Sequence, residues 1–152
     1  MKKYYYNSPI GTLYIAEKNG KISNISFADN LNCETEKTPL INSAIKQLDE
    51  YFAQKRKTFD LPLCIEGTEF QKSVYNALLK IEYGKTATYS DIANLISNPN
   101  ATRAVGNANN KNKILILIPC HRVIGKNKTL TGYSGGLEKK QYLLNLERGG
   151  GK

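Results

Sequence analysis

Histidine occurs once in this chain, at His121, and cysteine three times, at positions 33, 64 and 120. An odd, widely spaced set of cysteines makes neither a disulfide framework nor a zinc motif, and one imidazole does not complete a metal site. No metal is expected. One reactive thiol and two incidental ones in a reducing compartment is the simplest account. Long apolar runs are missing as well. The longest aliphatic stretch, Ile114–Ile118, is far too short to cross a bilayer. The start, Met1-Lys2-Lys3-Tyr4-Tyr5-Tyr6, lacks the apolar core of a signal peptide. A soluble cytoplasmic protein is therefore expected, with no membrane partner. Acidic residues are few, 13 against 22 Lys and Arg, giving a net charge of +9. The shortage is uneven. Residues 1–66 carry nine basic and eight acidic side chains, and residues 67–152 carry thirteen and five. A basic half-chain is the electrostatic footprint of a phosphate-backbone binder, although ordinary solvating lysines would give the same balance.

What remains is an ordinary globular composition, 40% hydrophobic over 152 residues. That length suffices for one compact domain or two small ones. Thr12–Ala16 and Ile22–Phe27 read as short strands around a turn at Asn19-Gly20. Thr38-Pro39 reads as an N-cap with proline at the first helical position, and Leu40, Ile41, Ala44, Ile45, Leu48, Tyr51 and Phe52 follow at helical spacing. Leu61-Pro62-Leu63 and Gly67 mark a linker or a last strand. Beyond them the pattern is helical. Thr68 with Gln71 and Thr88 with Asp91 are capping-box pairs. Asn98-Pro99-Asn100 breaks the chain before Ala101, Ala104, Val105 and Ala108 resume helical spacing. Two short helices joined by a tight turn make a helix-turn-helix candidate, although many proteins that bind no DNA contain helical hairpins. The second helix is built of small residues, with Arg103 among them. A helix reading the major groove usually presents several long polar side chains. This one is suited instead to close backbone approach to a narrow groove.

The chemistry concentrates at Ile118-Pro119-Cys120-His121-Arg122-Val123. A thiolate is the reactive form of cysteine, and a neighbouring imidazole or cation lowers the thiol pKa toward neutrality. Adjacent residues on a strand point to opposite faces, so Cys120 and His121 cooperate only where the chain turns, a break that Pro119 favours. From these two residues alone, a prepared nucleophile and a buried structural cysteine stand as alternatives. Downstream lies Thr131-Gly132-Tyr133-Ser134-Gly135-Gly136-Leu137, with Glu147 near the end. Upstream lie Tyr89, Arg103 and Asn112.

With these residues in place, the chain resembles the O6-alkylguanine-DNA alkyltransferases, or methylated-DNA–protein-cysteine methyltransferases. Their hallmark Pro-Cys-His-Arg-Val stands here as residues 119–123. Gly84 through Glu147 follows the family pattern nearly without gaps, and Phe70–Ile81 follows it more weakly. The resemblance implies an α+β fold: a small N-terminal α/β, ribonuclease H-like domain (1–66) packed on a mainly helical C-terminal domain (67–152) with a winged-helix or helix-turn-helix. It implies direct reversal of DNA damage, in which an alkyl group moves from O6-alkylguanine, and in some relatives O4-alkylthymine, to Cys120 in a single turnover. The implied partner is double-stranded DNA bound through the minor groove with little sequence preference. No cofactor is implied, and a monomer is expected.

The resemblance also assigns roles. Cys120 is the nucleophile, His121 accepts its proton through a bridging water, and Glu147 orients His121 in the manner of a triad. Tyr89 supplies a proton or hydrogen bond to guanine N3, and Lys140 polarises Tyr89. Asn112 braces the turn carrying Cys120. The Ser134 N–H bonds O6, and the Cys120 and Val123 carbonyls read the exocyclic amine. Tyr133 and Gly135 lie beside Ser134, and Gly135-Gly136 lets the loop approach the base. Arg103 enters the stack where the damaged nucleotide has rotated out, and Arg122 ties the structure together. The chain departs from the family at Lys113 and Leu115, where proline and a small residue are usual, and at Tyr142, where tryptophan is usual. Three other readings meet obstacles in the residues. A non-enzymatic alkyltransferase-like sensor lacks the cysteine present here. A Cys-His-Glu hydrolase is at odds with the basic helix-turn-helix. A regulator that senses alkylation needs an added zinc domain for which cysteines are missing.

Overall fold

Asn19 and Gly20 both take positive φ, 52° and 77°, the backbone of a tight hairpin whose twist matches its strands. They join β2 (Gly11–Lys18) to β3 (Lys21–Phe27), and a second turn joins β1 (Lys2–Ser8) to β2. The computed structural model, which describes residues 1–28, 31, 33–133 and 135–149, divides into two compact units, Met1–Cys64 and Ile65–Lys152.

The first unit is an antiparallel sheet in the order β1-β2-β3, with Tyr5 opposite Tyr14 and Ile15 opposite Ile25. Helix α1 (Pro39–Phe52) packs on it. The expected cap is present: the Thr38 hydroxyl accepts from the Ile41 N–H at 3.0 Å, and Pro39 opens the helix where its missing N–H has no intrahelical role. Ile41, Ala44, Leu48 and Tyr51 recur at helical spacing and are fully buried, as are Leu13, Ile15, Ile22 and Ile25 of the sheet. Truncating one such leucine costs about 2–5 kcal/mol through lost transfer energy and the cavity left behind. The 61–63 segment forms an isolated parallel bridge, Ile22 with Leu63.

The second unit starts with α2 (Glu69–Leu78), closed by the reciprocal Thr68–Gln71 box. Strand β4 (Ala87–Thr88) runs straight into α3 (Tyr89–Leu95) through the Thr88–Asp91 box. After the break at 98–100, α4 (Thr102–Asn110) follows, and α2, α3 and α4 pack on one another. The aliphatic run Ile114–Ile118 is wholly buried yet forms neither helix nor strand. Ile116 sits there at φ 71°, a left-handed conformation costly for a β-branched residue and held only by its surroundings. The chain then makes a single 3-10 turn at Cys120–Arg122 and enters β5 (Val123–Ile124), which pairs parallel with β4. Helix α5 (Leu137–Glu147) completes the unit. No helix among the described residues is long and apolar enough to cross a membrane.

Candidate active site

The 3-10 turn answers the geometric question posed by the Cys120-His121 pair. Within one turn both side chains are drawn inward: Cys120 is 3% exposed and His121 0%. Asn112 ties down the segment that leads into the turn. Its amide donates to the Ile118 carbonyl at 2.8 Å and its Oδ1 accepts the Ile114 N–H at 3.0 Å. Both ends of the strained aliphatic segment, which stops two residues before Cys120, are thus tied to the Asn112 side chain.

Behind the turn lies a buried charged cluster. His121 Nε2 is 2.6 Å from Glu147 Oε2. Arg122 grips the same carboxylate with Nε on Oε1 at 2.8 Å and Nη2 on Oε2 at 3.1 Å, and its Nη1 donates to the Ile81 carbonyl at 2.7 Å. Arg122 is therefore structural, holding Glu147 in the fork geometry that suits a carboxylate. The Gly84 N–H adds a longer bond to Oε1 at 3.4 Å. Burial alone would raise the Glu147 carboxyl, but His121 and Arg122 together hold it well below the usual carboxylate range. Burial keeps His121 below its ordinary value against the pull of Glu147. The pair is then a neutral imidazole donating from Nε2 to a carboxylate. That tautomer leaves a lone pair on Nδ1, which is buried and has no hydrogen-bond partner. That unpartnered nitrogen belongs to the residue next to the thiol in the same turn.

The thiol departs from the expectation for a reactive cysteine. Burial pushes Cys120 up to about 11, while the Asn112 hydrogen bond and the charge of Lys140 lower it only in part. The neighbouring imidazole does not bring it toward neutrality, because at this buried position desolvation of the thiolate wins.

Lys140 is fully buried, whereas the adjacent Lys139 is half-buried. Gly136, at φ 102°, starts α5 in the phase that turns residue 140 inward. Lys140 Nζ donates to the Thr131 carbonyl at 2.6 Å, and burial lowers it to about 8, opposed by Cys120. Tyr89, half-buried at the start of α3, meets the Thr131 hydroxyl at 2.8 Å. Lys140 thus reaches Tyr89 by way of Thr131. Tyr133 and Gly135 are half-buried on the same loop, and burial raises the Tyr133 phenol well above its usual value. Ser134 lies outside the described residues. Val123 is buried in β5. The Cys120 carbonyl, expected to read an exocyclic amine, already accepts the Val123 N–H and, at 3.4 Å, the Asn109 amide. Arg103 is exposed on α4. Lys113 is exposed and Leu115 buried.

Two family models match the chain: "6-O-methylguanine DNA methyltransferase, DNA binding domain" over residues 69–149 and "6-O-methylguanine DNA methyltransferase, ribonuclease-like domain" over residues 1–65. The chain belongs to the 6-O-methylguanine DNA methyltransferase family. Methylated-DNA–protein-cysteine methyltransferase of Methanosarcina acetivorans is 47% identical over 152 residues, covering 95% of this chain and 97% of that protein. The constitutive protein of the same name from Bacillus subtilis is 46% identical over 157 residues, covering 95% of each. The crystal structure of Mycobacterium tuberculosis OGT in complex with DNA superposes with a TM-score of 0.91 at 41% identity, covering 98% of this chain and 94% of that one.

Around this methyltransferase-family site, sequence reasoning missed Asn109, Gly84 and Thr131. Asn109 is 2% exposed and holds the Cys120 carbonyl, while its Oδ1 is buried without a partner. Gly84 adopts φ 79°, and a Cβ there would lie 3.2 Å from the Glu147 carbonyl. A glycine closing the Glu82-Tyr83-Gly84 turn was the available signal for it. An asparagine and a threonine in polar stretches carry no comparable mark.

Proposed function

We propose that this protein repairs alkylated DNA by moving the alkyl group from guanine O6 onto Cys120, once per molecule. The observation that carries the reading is the juxtaposition, in one 3-10 turn, of a buried thiol with an imidazole. Glu147 holds Nε2 of that imidazole, and its Nδ1 is free.

The damaged nucleotide must leave the stack to meet Cys120, at a cost of a few kcal/mol for unstacking. Arg103 is exposed on a helix whose neighbours Ala104 and Gly106 let the backbone approach a narrow groove. Its guanidinium fills the gap and bonds the orphaned base. In the pocket, the Cys120 thiol gives its proton to His121 Nδ1, directly or through water, as sulfur attacks the alkyl carbon in line. The S–C bond forms as the C–O6 bond breaks. The electron pair passes to guanine, which takes a proton or hydrogen bond at N3 from Tyr89. The imidazolium is stabilised by Glu147, as in a triad. The Val123 carbonyl and the Ser134 N–H recognise the base, and Tyr133 and Gly135 shape the loop beside it. Asn112 keeps the nucleophile's turn in place. The product is a thioether with no group to reverse it, so the protein is consumed.

The partner is alkylated double-stranded DNA approached from the minor groove with little sequence preference, and no cofactor enters the reaction. The protein acts as a cytoplasmic monomer. The 1–66 region supports and the 67–152 region binds and reacts. The excess of basic residues in the latter supports that division.

The test is stoichiometric. Duplex DNA carrying O6-methylguanine in excess is expected to transfer one methyl group per protein molecule, mapped to Cys120, and none to Cys120→Ser. Repeated turnovers, or label on Cys33 or Cys64, overturn the reading.

A further inference from the structure

Thr131 has two partners that the reaction uses. Its hydroxyl lies 2.8 Å from the Tyr89 phenol oxygen, forty-two residues away in sequence, and its backbone carbonyl accepts from Lys140 Nζ at 2.6 Å. The residue itself is exposed, as is Gly132 beside it, so burial does not fix this stretch. The buried Lys140 ammonium does, by gripping the carbonyl. The ring of Tyr89 is bounded on its other side by α4, where a Cβ at Gly106 would sit 3.8 Å from two ring carbons. The phenol is therefore placed by contacts at both ring and tip.

Hydroxyl chemistry decides the direction of the 2.8 Å contact during the reaction. A phenol has one proton to donate, and if Tyr89 spends it on Thr131 none remains for the leaving base. Thr131 must then be the donor. A donor on the phenol oxygen leaves the phenol proton free to point elsewhere, and it stabilises negative charge on that oxygen as the proton departs. The threonine hydroxyl can turn to do this by rotation about one bond.

We infer that Thr131 is a positioning residue for alkyl transfer, which donates its hydroxyl hydrogen to the Tyr89 oxygen and so aims and strengthens Tyr89 as the donor to the leaving guanine. This rests on the reading of Tyr89 as that donor. The two contacts of Thr131 are separable, because Lys140 is held by the backbone and Tyr89 by the side chain. Thr131→Val removes the hydroxyl with little change of shape and keeps the carbonyl. Thr131→Ser keeps both.

The experiment measures the single-turnover rate of methyl transfer at saturating O6-methylguanine duplex for wild type, Thr131→Val, Thr131→Ser, Tyr89→Phe and the Tyr89→Phe/Thr131→Val pair. Thr131→Val is expected to slow transfer about fivefold, as for one neutral hydrogen bond. Thr131→Ser is expected to restore most of the rate. In the Tyr89→Phe background, Thr131→Val is expected to add nothing, since no phenol oxygen remains to receive the bond. A slow Tyr89→Phe with a normal Thr131→Val overturns the role of Thr131 and leaves that of Tyr89 intact. A slow Thr131→Ser, or the same fold-loss from Thr131→Val with and without Tyr89, assigns Thr131 to loop structure and also overturns the inference. A Tyr89→Phe as fast as wild type removes the reading of Tyr89 itself, and the inference with it.

Discussion

The two units of this chain solve the problem of buried polarity differently. In the first, the buried polar side chains among the described residues are Ser23, Thr38 and Gln47, all neutral. Each has a nearby partner: Thr38 caps α1 and bonds Glu17, and Gln47 exchanges two bonds with the Asp60 backbone at 3.1 and 2.9 Å. In the second, the buried polar set is Asn109, Asn112, His121, Arg122, Lys140 and Glu147. Four of these are ionisable. Burying charge is expensive unless it is paired and hydrogen-bonded, and a well-packed apolar replacement often does as well for stability. A unit that keeps four such groups around one thiol is organised for a reaction. The described residues of the first unit bury no Asp, Glu, Lys, Arg or His.

The largest expected effect that separates the units is on stability. Glu147→Leu leaves Arg122 and His121 buried without their carboxylate, and should destabilise the second unit by about 3–5 kcal/mol. Denaturant melts followed by hydrogen exchange resolved by segment would show whether the loss is confined to residues 65–149. A loss of less than about 1 kcal/mol would mean that the network is weak and the contrast with the first unit is empty.

Acid should separate the units next. His121 has a folded pKa below its ordinary value of 6.5, so the unfolded chain binds the extra proton and stability falls as pH drops through that value. Glu147 is depressed in the folded state. Its contribution is complete above the ordinary carboxylate value of 4.5 and is lost as pH falls below that. Exchange protection of the second unit should therefore begin to fall below about pH 6.5 and fall further through the carboxylate range. Equal loss in both units over pH 7 to 5 would count against this.

Arg103 sharpens the comparison from the DNA side. Arg103→Ala should slow repair of alkylated duplex by an amount equivalent to about 1–3 kcal/mol, yet scarcely alter reaction with free O6-benzylguanine, which needs no flipping. Equal losses on both substrates would place Arg103 in folding or in the pocket.

The smallest effect belongs to the first unit. Tyr6 donates to Asp49 at 2.6 Å, and Tyr6→Phe should cost about 1 kcal/mol of stability with no change in transfer rate. A slower reaction would mean that the first unit contributes to the chemistry.

The same contrast explains what could be read from the sequence. The caps at Thr38-Pro39, Thr68/Gln71 and Thr88/Asp91 are local bargains between residues three apart, and all three were legible. So was the Cys120-His121 turn, because Pro119 announces it. Strand β1 was missed. Tyr4, Tyr5 and Tyr6 show no alternation of apolar and polar residues, and the strand is defined by its register on β2, a non-local fact. Helix α5 has little amphipathic signal because its buried face includes Lys140 and Glu147, which periodicity counts as surface. Family registration singled out those two residues, and the inward phase of Lys140 became visible only in the fold. The buried aliphatic run at 114–118 resembled a strand in composition and became a strained turn because Asn112 ties both its ends. Thr131 stood in a quoted stretch but received no role, since its partners stand 42 and nine residues away.

On the proposed mechanism, the buried carboxylate behind His121 sets the reactivity of the Cys120 thiol. The most direct measurement is the rate of Cys120 alkylation by free O6-benzylguanine in wild type and Glu147→Gln, with methylated-duplex affinity measured alongside. Glu147→Gln keeps the hydrogen-bonding shape and removes the charge that stabilises an imidazolium. Alkylation is expected to slow by tenfold or more, a loss of about 1.4 kcal/mol or greater in transition-state stabilisation, while DNA affinity stays close to wild type. An unchanged alkylation rate in Glu147→Gln would contradict the account, and would mean that the buried charges of the second unit serve the fold alone.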